Sequence, residues 1–172
     1  TTVNDLWRAL LEHLLGEGAE HAPRGQLTRE VCPLLLVLDD SLANIITVPE
    51  RNLNYPFMVA EWFWMMAGRS DVAAIAHYNK EIARFSDDGV TYFGAYGPKI
   101  VAQWPYVKQK LTEDPATRQA VLTIWRESPP GTRDVPCTLA MQFLLRADKL
   151  IANVTMRSSD AWLGIPYDVF NF

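Results

Sequence analysis

Two neighbouring runs of strand-favouring residues constrain the fold of this chain most strongly. Residues 138–146 (TLAMQFLLR) and 150–157 (LIANVTMR) are separated only by a short Ala-Asp-Lys turn. Strands joined by so short a connection pair antiparallel, so the sequence predicts a β-hairpin. Such a hairpin brings Cys137, at the start of the first strand, close to Arg157, at the end of the second.

Helical and strand-like segments alternate over the rest of the chain. Apolar residues recur at helical spacing from Val3 to Leu15, and Pro56 fits the first turn of an almost wholly apolar, buried helix that ends at Ala67. Further predicted elements are strands within residues 27–38 and 120–126, a loop over 85–98, helices over 70–78 and 106–113, and a helix after Ser159. Without a strict strand–helix–strand rhythm, the pattern favours a single α/β domain over residues 1–172, with a mixed β-sheet and covering helices.

The charge balance argues against some classes of ligand. The 172 residues carry a formal net charge of −4, with an isoelectric point near 5.3. Binders of nucleic acid or of anionic membranes normally carry a basic patch, so neither partner is expected. A small phosphate-bearing ligand needs only a few local arginines and stays compatible. The two cysteines are too few for a disulfide framework, and no apolar run approaches the roughly 18 residues of a membrane helix, so a cytoplasmic protein is predicted.

Cys137 and Glu61 are candidates for catalysis. Cys137 follows Pro136 at the start of a strand, where a cysteine is either a small buried apolar residue or a nucleophile. The second interpretation needs nearby positive charge, which Arg157 is placed to supply. Glu61 lies within the apolar helix, where it either reaches solvent or an arginine, or acts as a desolvated general acid or base. The residues alone leave both pairs of alternatives open.

The segment Arg157-Ser158-Ser159-Asp160 has the composition of an anion site. Because it ends a strand and opens a helix, it combines hydroxyl groups, backbone N–H groups and a guanidinium group, which suits a phosphate. Ordinary helix capping by Ser or Asp is the alternative. Arg24, beside Gly25 in a polar loop, is open to the same two interpretations. The three histidines lack metal-ligand spacing, so no metal is expected.

Five segments of the chain follow one another in the order and spacing of a known enzyme family. They are AEWFWMMAG at 60–68, AYG at 95–97, DPATR at 114–118, PC at 136–137 and RSSDAWLGIPY at 157–167. With them the chain resembles the thymidylate synthase family from about Arg24 to Phe172. The resemblance implies that family's fold, a twisted mixed β-sheet with covering helices, whose sheets pack back to back in a homodimer.

The resemblance also implies a role for individual residues. Cys137 attacks C6 of a pyrimidine nucleotide, which makes C5 nucleophilic, while Glu61 manages proton transfer through ordered water and Tyr96 supports it. The implied nucleotide-binding residues are Arg24, Arg118, Arg157, Ser158, Asp160, Gly164 and Asp168, with Arg118 reaching the phosphate from the partner subunit. The implied contacts to the folate co-substrate, 5,10-methylenetetrahydrofolate, come from Ile82, Asp160, Leu163, Gly164 and Tyr167.

Two departures from the family pattern change the expected reaction. Thymidylate synthases carry an Asn, which reads the O4 and N3–H edge of uracil, where this chain has Asp168. Thiolate addition at C6 makes N3 of cytosine basic, so the base then presents two donors that a carboxylate accepts as a pair. Because this contact strengthens as the reaction proceeds, Asp168 is expected to be catalytic as well as selective. The synthases also place a Trp over the reacting carbon where this chain has Ala83. The smaller residue is expected to leave room for water to hydrate a C5-methylene intermediate. The folate then donates no hydride, so tetrahydrofolate is released unoxidised.

Other departures concern details of the site. Thr138 stands where the synthases follow the nucleophile with His, and Gln119 replaces a second phosphate arginine. The last third of the family fold, which holds ribose contacts and a closing tail, is absent from the sequence, and this absence suggests that the chain stops early.

The combined features predict a homodimeric cytidylate 5-hydroxymethylase acting on CMP or dCMP. The alternative enzymes are a thymidylate synthase and a uridylate hydroxymethylase, and a catalytically inactive nucleotide-binding homologue is the non-enzymatic alternative. The residues do not decide between ribo- and deoxyribonucleotide. A composition rich in Ala and Arg suggests an actinobacterial nucleoside-antibiotic pathway acting on CMP, whereas a phage DNA-modification enzyme would act on dCMP.

Overall fold

A computed structural model describes residues 2–127 and 129–172. Its elements are, in chain order, α1 (Val3–Glu17), β1 (Ala19–His21), β2 (Thr28–Glu30), α2 (Tyr55–Met66), α3 (Val72–Ala76), α4 (Gly97–Glu113), β3 (Val121–Thr123), β4 (Thr138–Arg146), β5 (Lys149–Met156) and α5 (Ile165–Asn171). Short 3-10 helices cover Pro23–Gly25, Pro49–Arg51 and Lys80–Phe85. The chain groups into two compact units, a first unit of residues 2–53 with 160–170 and a second unit of residues 54–159 with 171–172.

Helix α1 organises the first unit. Thr2 caps the helix, because its hydroxyl accepts the N–H of Asp5 and the Asp5 carboxylate accepts the backbone N–H of Thr2 in return. The predicted apolar face buries Trp7 against Ile46. The Trp7 indole N–H also donates to the carbonyl oxygen of Ala161 at 2.6 Å. This bond ties the turn that follows residue 160 to helix α1.

A three-stranded antiparallel sheet and helix α4 form the core of the second unit. The strand order is β3-β4-β5. The hairpin predicted from the sequence is confirmed, with Arg146 opposite Lys149 at the turn and Thr138 opposite Met156 at the far end. The residues buried in this core are Ile100, Val107, Ala120, Leu122, Ile124, Met141 and Phe143. Burial of each larger side chain stabilises the fold by about 1.5–3 kcal/mol, which fixes β4 in place.

The helices have the predicted type but not always the predicted length. Helix α2 begins beside Pro56 and ends just before Gly68, which has a φ of 67°, as predicted. Helix α4 begins at Gly97 instead of Tyr106. Pro98 lies in its first turn, where a missing N–H costs nothing, and the helix also accommodates Pro105 in its interior.

Two strand predictions are wrong in extent. Within residues 27–38 only Thr28–Glu30 forms a strand, because Pro33 has no N–H to donate to a ladder. The strand predicted over 120–126 is limited to Val121–Thr123. In the parts of the chain that the structure describes, every strand pair is antiparallel, so the predicted mixed sheet is corrected to two antiparallel sheets. In the larger sheet, β4 and β5 are antiparallel because the connection between them is too short for a parallel crossover.

Helix α2 differs from the prediction that it is buried on all sides. Met58 and Met65 are buried, whereas Val59 and Phe63 are 42% and 62% exposed. The helix packs against α3 and α4, and these neighbours cover only part of its surface. No helix within residues 2–127 and 129–172 combines the length and the apolar character needed to cross a membrane.

Candidate active site

Cys137 lies immediately before β4, and its thiol faces two polar groups that follow β5. The Arg157 Nη2 atom is 3.7 Å from the Cys137 Sγ atom, and the Ser158 Oγ atom is 3.9 Å from it. The hairpin creates this arrangement, since the backbone N–H of Arg157 donates to the carbonyl oxygen of Cys137 at 2.9 Å. Both groups can donate a hydrogen bond to sulfur, and the guanidinium group adds positive charge, as is typical of the surroundings of a cysteine nucleophile. The site therefore has the groups that a cysteine nucleophile needs.

The Arg157 guanidinium group is held in place by the segment that precedes Cys137. Its Nε atom donates to the Pro136 carbonyl oxygen at 3.0 Å, and its Nη2 atom donates to the Val135 carbonyl oxygen at 3.0 Å. Its Nη1 atom donates to the Ser158 hydroxyl at 3.1 Å. Because the guanidinium group is planar and rigid, these bonds fix its charge against the sulfur. The sequence predicted that Arg157 lies near Cys137, but not these carbonyl contacts.

Tyr96 contacts the backbone of Cys137 from the side of helix α4. Its phenol oxygen accepts the N–H groups of Cys137 and Thr138, both at 3.3 Å. Its ring stacks on Phe172 with 6.1 Å between the ring centroids. Thr138 is fully buried, and its hydroxyl oxygen has no hydrogen-bond partner among the described residues. Tyr96 thus fixes the two peptide groups on either side of the Cys137 Cα atom.

Glu61 is paired with a residue that the sequence analysis missed. The Asn171 Nδ2 atom donates to the Glu61 Oε2 atom at 2.8 Å. Glu61 is half-buried on α2, so a fixed amide donor orients its carboxylate. A signal was present in the sequence, because Asn171 is a single polar residue between Phe170 and Phe172.

Asp160 caps the turn that leads into α5 in the first unit. Its Oδ1 atom accepts the N–H groups of Trp162 at 2.8 Å and Leu163 at 2.6 Å. Its backbone carbonyl oxygen accepts those of Gly164 and Ile165, both at 2.9 Å. Of the two interpretations of the Arg-Ser-Ser-Asp segment, the geometry matches capping at Asp160, whereas Arg157 and Ser158 face the thiol.

Arg51 is a second residue that the sequence analysis missed. In the first unit its guanidinium carbon lies 5.5 Å from the ring centroid of Tyr167 and 5.9 Å from that of Trp162. Its Nε atom also donates to the Trp162 carbonyl oxygen at 2.7 Å. Trp162 is 43% exposed and Leu163 is 61% exposed. A flat aromatic ligand suits such a surface, because exposed rings and a stacked guanidinium group offer planar contacts.

The remaining predicted residues are distributed over both units. In the first unit, Arg24 has a left-handed φ of 55° in the exposed turn Pro23–Gly25, and Asp168 lies half-buried in α5. In the second unit, Arg118 is exposed before β3, while Ile82 and Ala83 lie half-buried in the 3-10 helix Lys80–Phe85. Over the described residues, no group of three or more His, Cys, Asp or Glu side chains has an arrangement that would hold a metal ion.

Comparison with known proteins places this chain in a family. The family model described as thymidylate synthase matches residues 6–172. A deoxyuridylate hydroxymethyltransferase of Bacillus phage SP01 is 34% identical over 92% of this chain and 46% of its own length. A protein of the same name from Pseudomonas phage M6 is 35% identical over 64% of this chain and 34% of its own length. Another, from Delftia phage PhiW-14, is 32% identical over 69% of this chain and 38% of its own length. The chain thus spans less than half the length of these relatives. Because the family model covers nearly all of it, the chain belongs to the thymidylate synthase family.

Proposed function

We propose that this protein hydroxymethylates C5 of a pyrimidine nucleoside monophosphate, with Cys137 as the nucleophile. The observation that carries the proposal is the thiol of Cys137 beside the Arg157 guanidinium group at 3.7 Å and the Ser158 hydroxyl at 3.9 Å. Membership of the thymidylate synthase family supports one-carbon transfer to a pyrimidine. Three relatives that are named hydroxymethyltransferases support the hydroxymethyl product.

The chemistry starts with addition of the thiolate to C6 of the base. The new S–C6 bond uses the sulfur electron pair, and the electrons of the C5=C6 double bond make C5 nucleophilic. Bound 5,10-methylenetetrahydrofolate supplies the carbon that C5 takes up. Glu61, oriented by Asn171, moves the C5 proton to water as the bond between the one-carbon unit and the nitrogen of tetrahydrofolate breaks, which leaves a C5-methylene group. The small Ala83 admits a water molecule whose oxygen adds to this methylene carbon and which gives up a proton to solvent. Loss of the sulfur from C6 then regenerates the thiolate of Cys137.

The residues of this chain fit a folate as co-substrate. A folate joins a flat bicyclic ring system to an aromatic ring and an acidic tail. The exposed Leu163 and the exposed Trp162, whose ring lies near the Arg51 guanidinium group, provide apolar and cationic surface for such a molecule. We therefore assign the folate to the segment around Asp160, Leu163, Gly164 and Tyr167, with Ile82 as a further contact.

Asp168 makes cytosine the first candidate for the base. A carboxylate accepts two donors and offers none, which matches the amino group and the protonated N3 of a cytosine adduct. CMP or dCMP is accordingly the proposed substrate. Deoxyuridylate is the second candidate, because the relatives carry that substrate in their names.

Tritium release from C5 tests the reaction and the base together. The protein is incubated with 5,10-methylenetetrahydrofolate and with CMP, dCMP, UMP or dUMP, each tritiated at C5. Release from CMP or dCMP is expected, and the variant Asp168→Asn is expected to shift release toward the uracil nucleotides. Release from dUMP alone would refute the cytosine assignment but keep the reaction, whereas no release from any nucleotide would refute both.

A homodimer in which Arg118 reaches the partner's phosphate site is part of the same proposal. The exposed position of Arg118 supports it. Two inactive variants, Arg118→Ala and Cys137→Ala, are expected to regain activity when they are mixed, because one mixed site then holds both intact residues. If mixing restores no activity, Arg118 does not act across a dimer.

A further inference from the structure

The residues that precede the nucleophile are tied to a distant loop. Arg133 donates from Nη2 to the Ser86 carbonyl oxygen at 2.7 Å, and Thr132 donates its hydroxyl to the Asp87 carboxylate. One residue later, the Asp134 Oδ2 atom accepts the backbone N–H of Gly94 at 2.7 Å. All these contacts lie within the second unit and connect positions 40 or more residues apart. They anchor the segment 132–134, three residues from the thiol, to the loop 86–94.

The contact between Gly94 and Asp134 is too close for any other residue at position 94. A Cβ atom added to Gly94 would lie 2.5 Å from the Asp134 carbonyl oxygen and 3.0 Å from its Oδ1 atom. Real Cβ atoms do not approach backbone oxygen so closely, so a side chain at position 94 would push Asp134 away. The hydrogen bond from Gly94 therefore holds the loop 86–94 close to the segment 132–134, and this close approach requires that position 94 has no side chain.

Asp134 also lies among charged groups that make this hydrogen bond important. Burial raises the pKa of Asp134, and the N–H of Gly94 acts in the opposite direction. Asp87 raises this pKa and Lys99 lowers it, by smaller amounts. The backbone N–H is therefore the strongest favourable partner of a half-buried carboxylate, and loss of that partner would leave a poorly solvated charge.

The loop that contains Gly94 continues directly into the site. Tyr96, two residues after Gly94, accepts the N–H groups of Cys137 and Thr138, whereas Arg157 donates to the carbonyl oxygens of Val135 and Pro136 from the other side. Between Asp134 and the thiol, the segment is thus attached at two further places, to Arg157 and to Tyr96.

From this arrangement we propose that Asp134 is a positioning residue for Cys137. Its hydrogen bond to Gly94 sets where the Ala95-Tyr96 loop meets the nucleophile segment, and so holds the sulfur beside Arg157 and Ser158. The proposal rests on the proposed role of Cys137 as nucleophile. Asp134 touches no reacting atom in this scheme and acts only through the backbone that carries Cys137.

Substitution of Asp134 tests the proposal through the thiol itself. Alkylation of Cys137 by iodoacetamide is followed by peptide mass spectrometry, with the exposed Cys32 as an internal control in the same sample. Asp134→Ala is expected to slow alkylation of Cys137 about fivefold, because a displaced sulfur loses the guanidinium charge. Asp134→Asn keeps an acceptor for the Gly94 N–H and is expected to stay within about twofold of the wild type. The matched controls are Asp39→Ala and Asp148→Asn at exposed positions.

Turnover provides the second measurement. Asp134→Ala is expected to lower kcat about tenfold with little change in KM, because a misplaced nucleophile affects the bond-forming step more than binding. Equal losses in Asp134→Ala and Asp134→Asn would overturn the proposal, since the charge and not the hydrogen bond would then matter. Wild-type alkylation of Cys137 in Asp134→Ala would also overturn it. Because alkylation needs no nucleotide or folate, the expected alkylation pattern without turnover would refute the proposed function and leave the positioning role standing.

Discussion

The two cysteines of this chain have the same functional group in very different surroundings. Cys32 is exposed in an irregular segment between β2 and α2. Cys137 is half-buried, with a guanidinium group and a hydroxyl within 4 Å of its sulfur and a phenol oxygen on its backbone N–H. Because the residue type is identical, any difference in reactivity between the two thiols must come from the neighbours that the fold supplies.

The largest expected effect is the difference in turnover between variants that lack one thiol or the other. Cys137→Ala is expected to reduce turnover more than about 10³-fold, because no other group forms the bond to C6. Cys32→Ala, the matched control, is expected to keep turnover within about twofold, because Cys32 is exposed and lies outside the proposed site. Steady-state tritium release measures both. Comparable losses in the two variants would remove the distinction on which the proposed function depends.

Removal of the guanidinium geometry is expected to bring Cys137 closer to Cys32 in reactivity. Arg157→Lys keeps the charge but not the planar fork that binds two carbonyl groups, so alkylation of Cys137 is expected to slow about tenfold. Arg146→Lys is the control on the same hairpin, where the arginine binds the carbonyl oxygens of Leu145 and Ala116. Rates measured by mass spectrometry should differ between the two variants only at Cys137. An unchanged rate in Arg157→Lys would show that the planar geometry of the guanidinium group is not needed for the reactivity of the thiol.

Tyr96→Phe is expected to reduce the difference in alkylation rate between Cys137 and Cys32 by a moderate amount. The change removes the acceptor of two backbone N–H groups, which lowers the free energy of unfolding by about 1–2 kcal/mol and loosens the peptide of Cys137. Alkylation of Cys137 should slow about threefold, while that of Cys32 stays constant. Tyr106→Phe, at an exposed position of α4, provides the control. Equal stability of the two variants by urea unfolding would contradict this role of the Tyr96 hydroxyl.

The smallest expected effect is on the stability of the protein and not on the reactivity of its thiols. Thr138 is fully buried and its hydroxyl has no partner among the described residues, so Thr138→Val is expected to raise the free energy of unfolding by about 1 kcal/mol. Thr155→Val, on the exposed β5, is expected to change it by less than about 0.5 kcal/mol. Urea unfolding gives both values. A loss of stability in Thr138→Val would indicate that the buried hydroxyl is satisfied in solution.

Several features of the site followed from the sequence because the residues involved are close along the chain or belong to one hairpin. The turn at residues 147–148 forces β4 and β5 to pair, and this pairing brings Arg157 to Cys137. The start of α2 followed in the same way from Pro56. The start of α4 did not, since two prolines concealed a helix that contains both.

The sequence was sufficient to predict the family, the hairpin and the proximity of Arg157 to Cys137, because motif order and hairpin pairing can be recognised from the chain alone. The groups that hold Cys137 and Arg157 in position could be identified only in the folded structure. Asn171 meets Glu61 across 110 residues, and Asp134 meets Gly94 across 40. Such contacts have no local pattern, since they depend on where packed helices and strands bring distant backbone and side-chain atoms together.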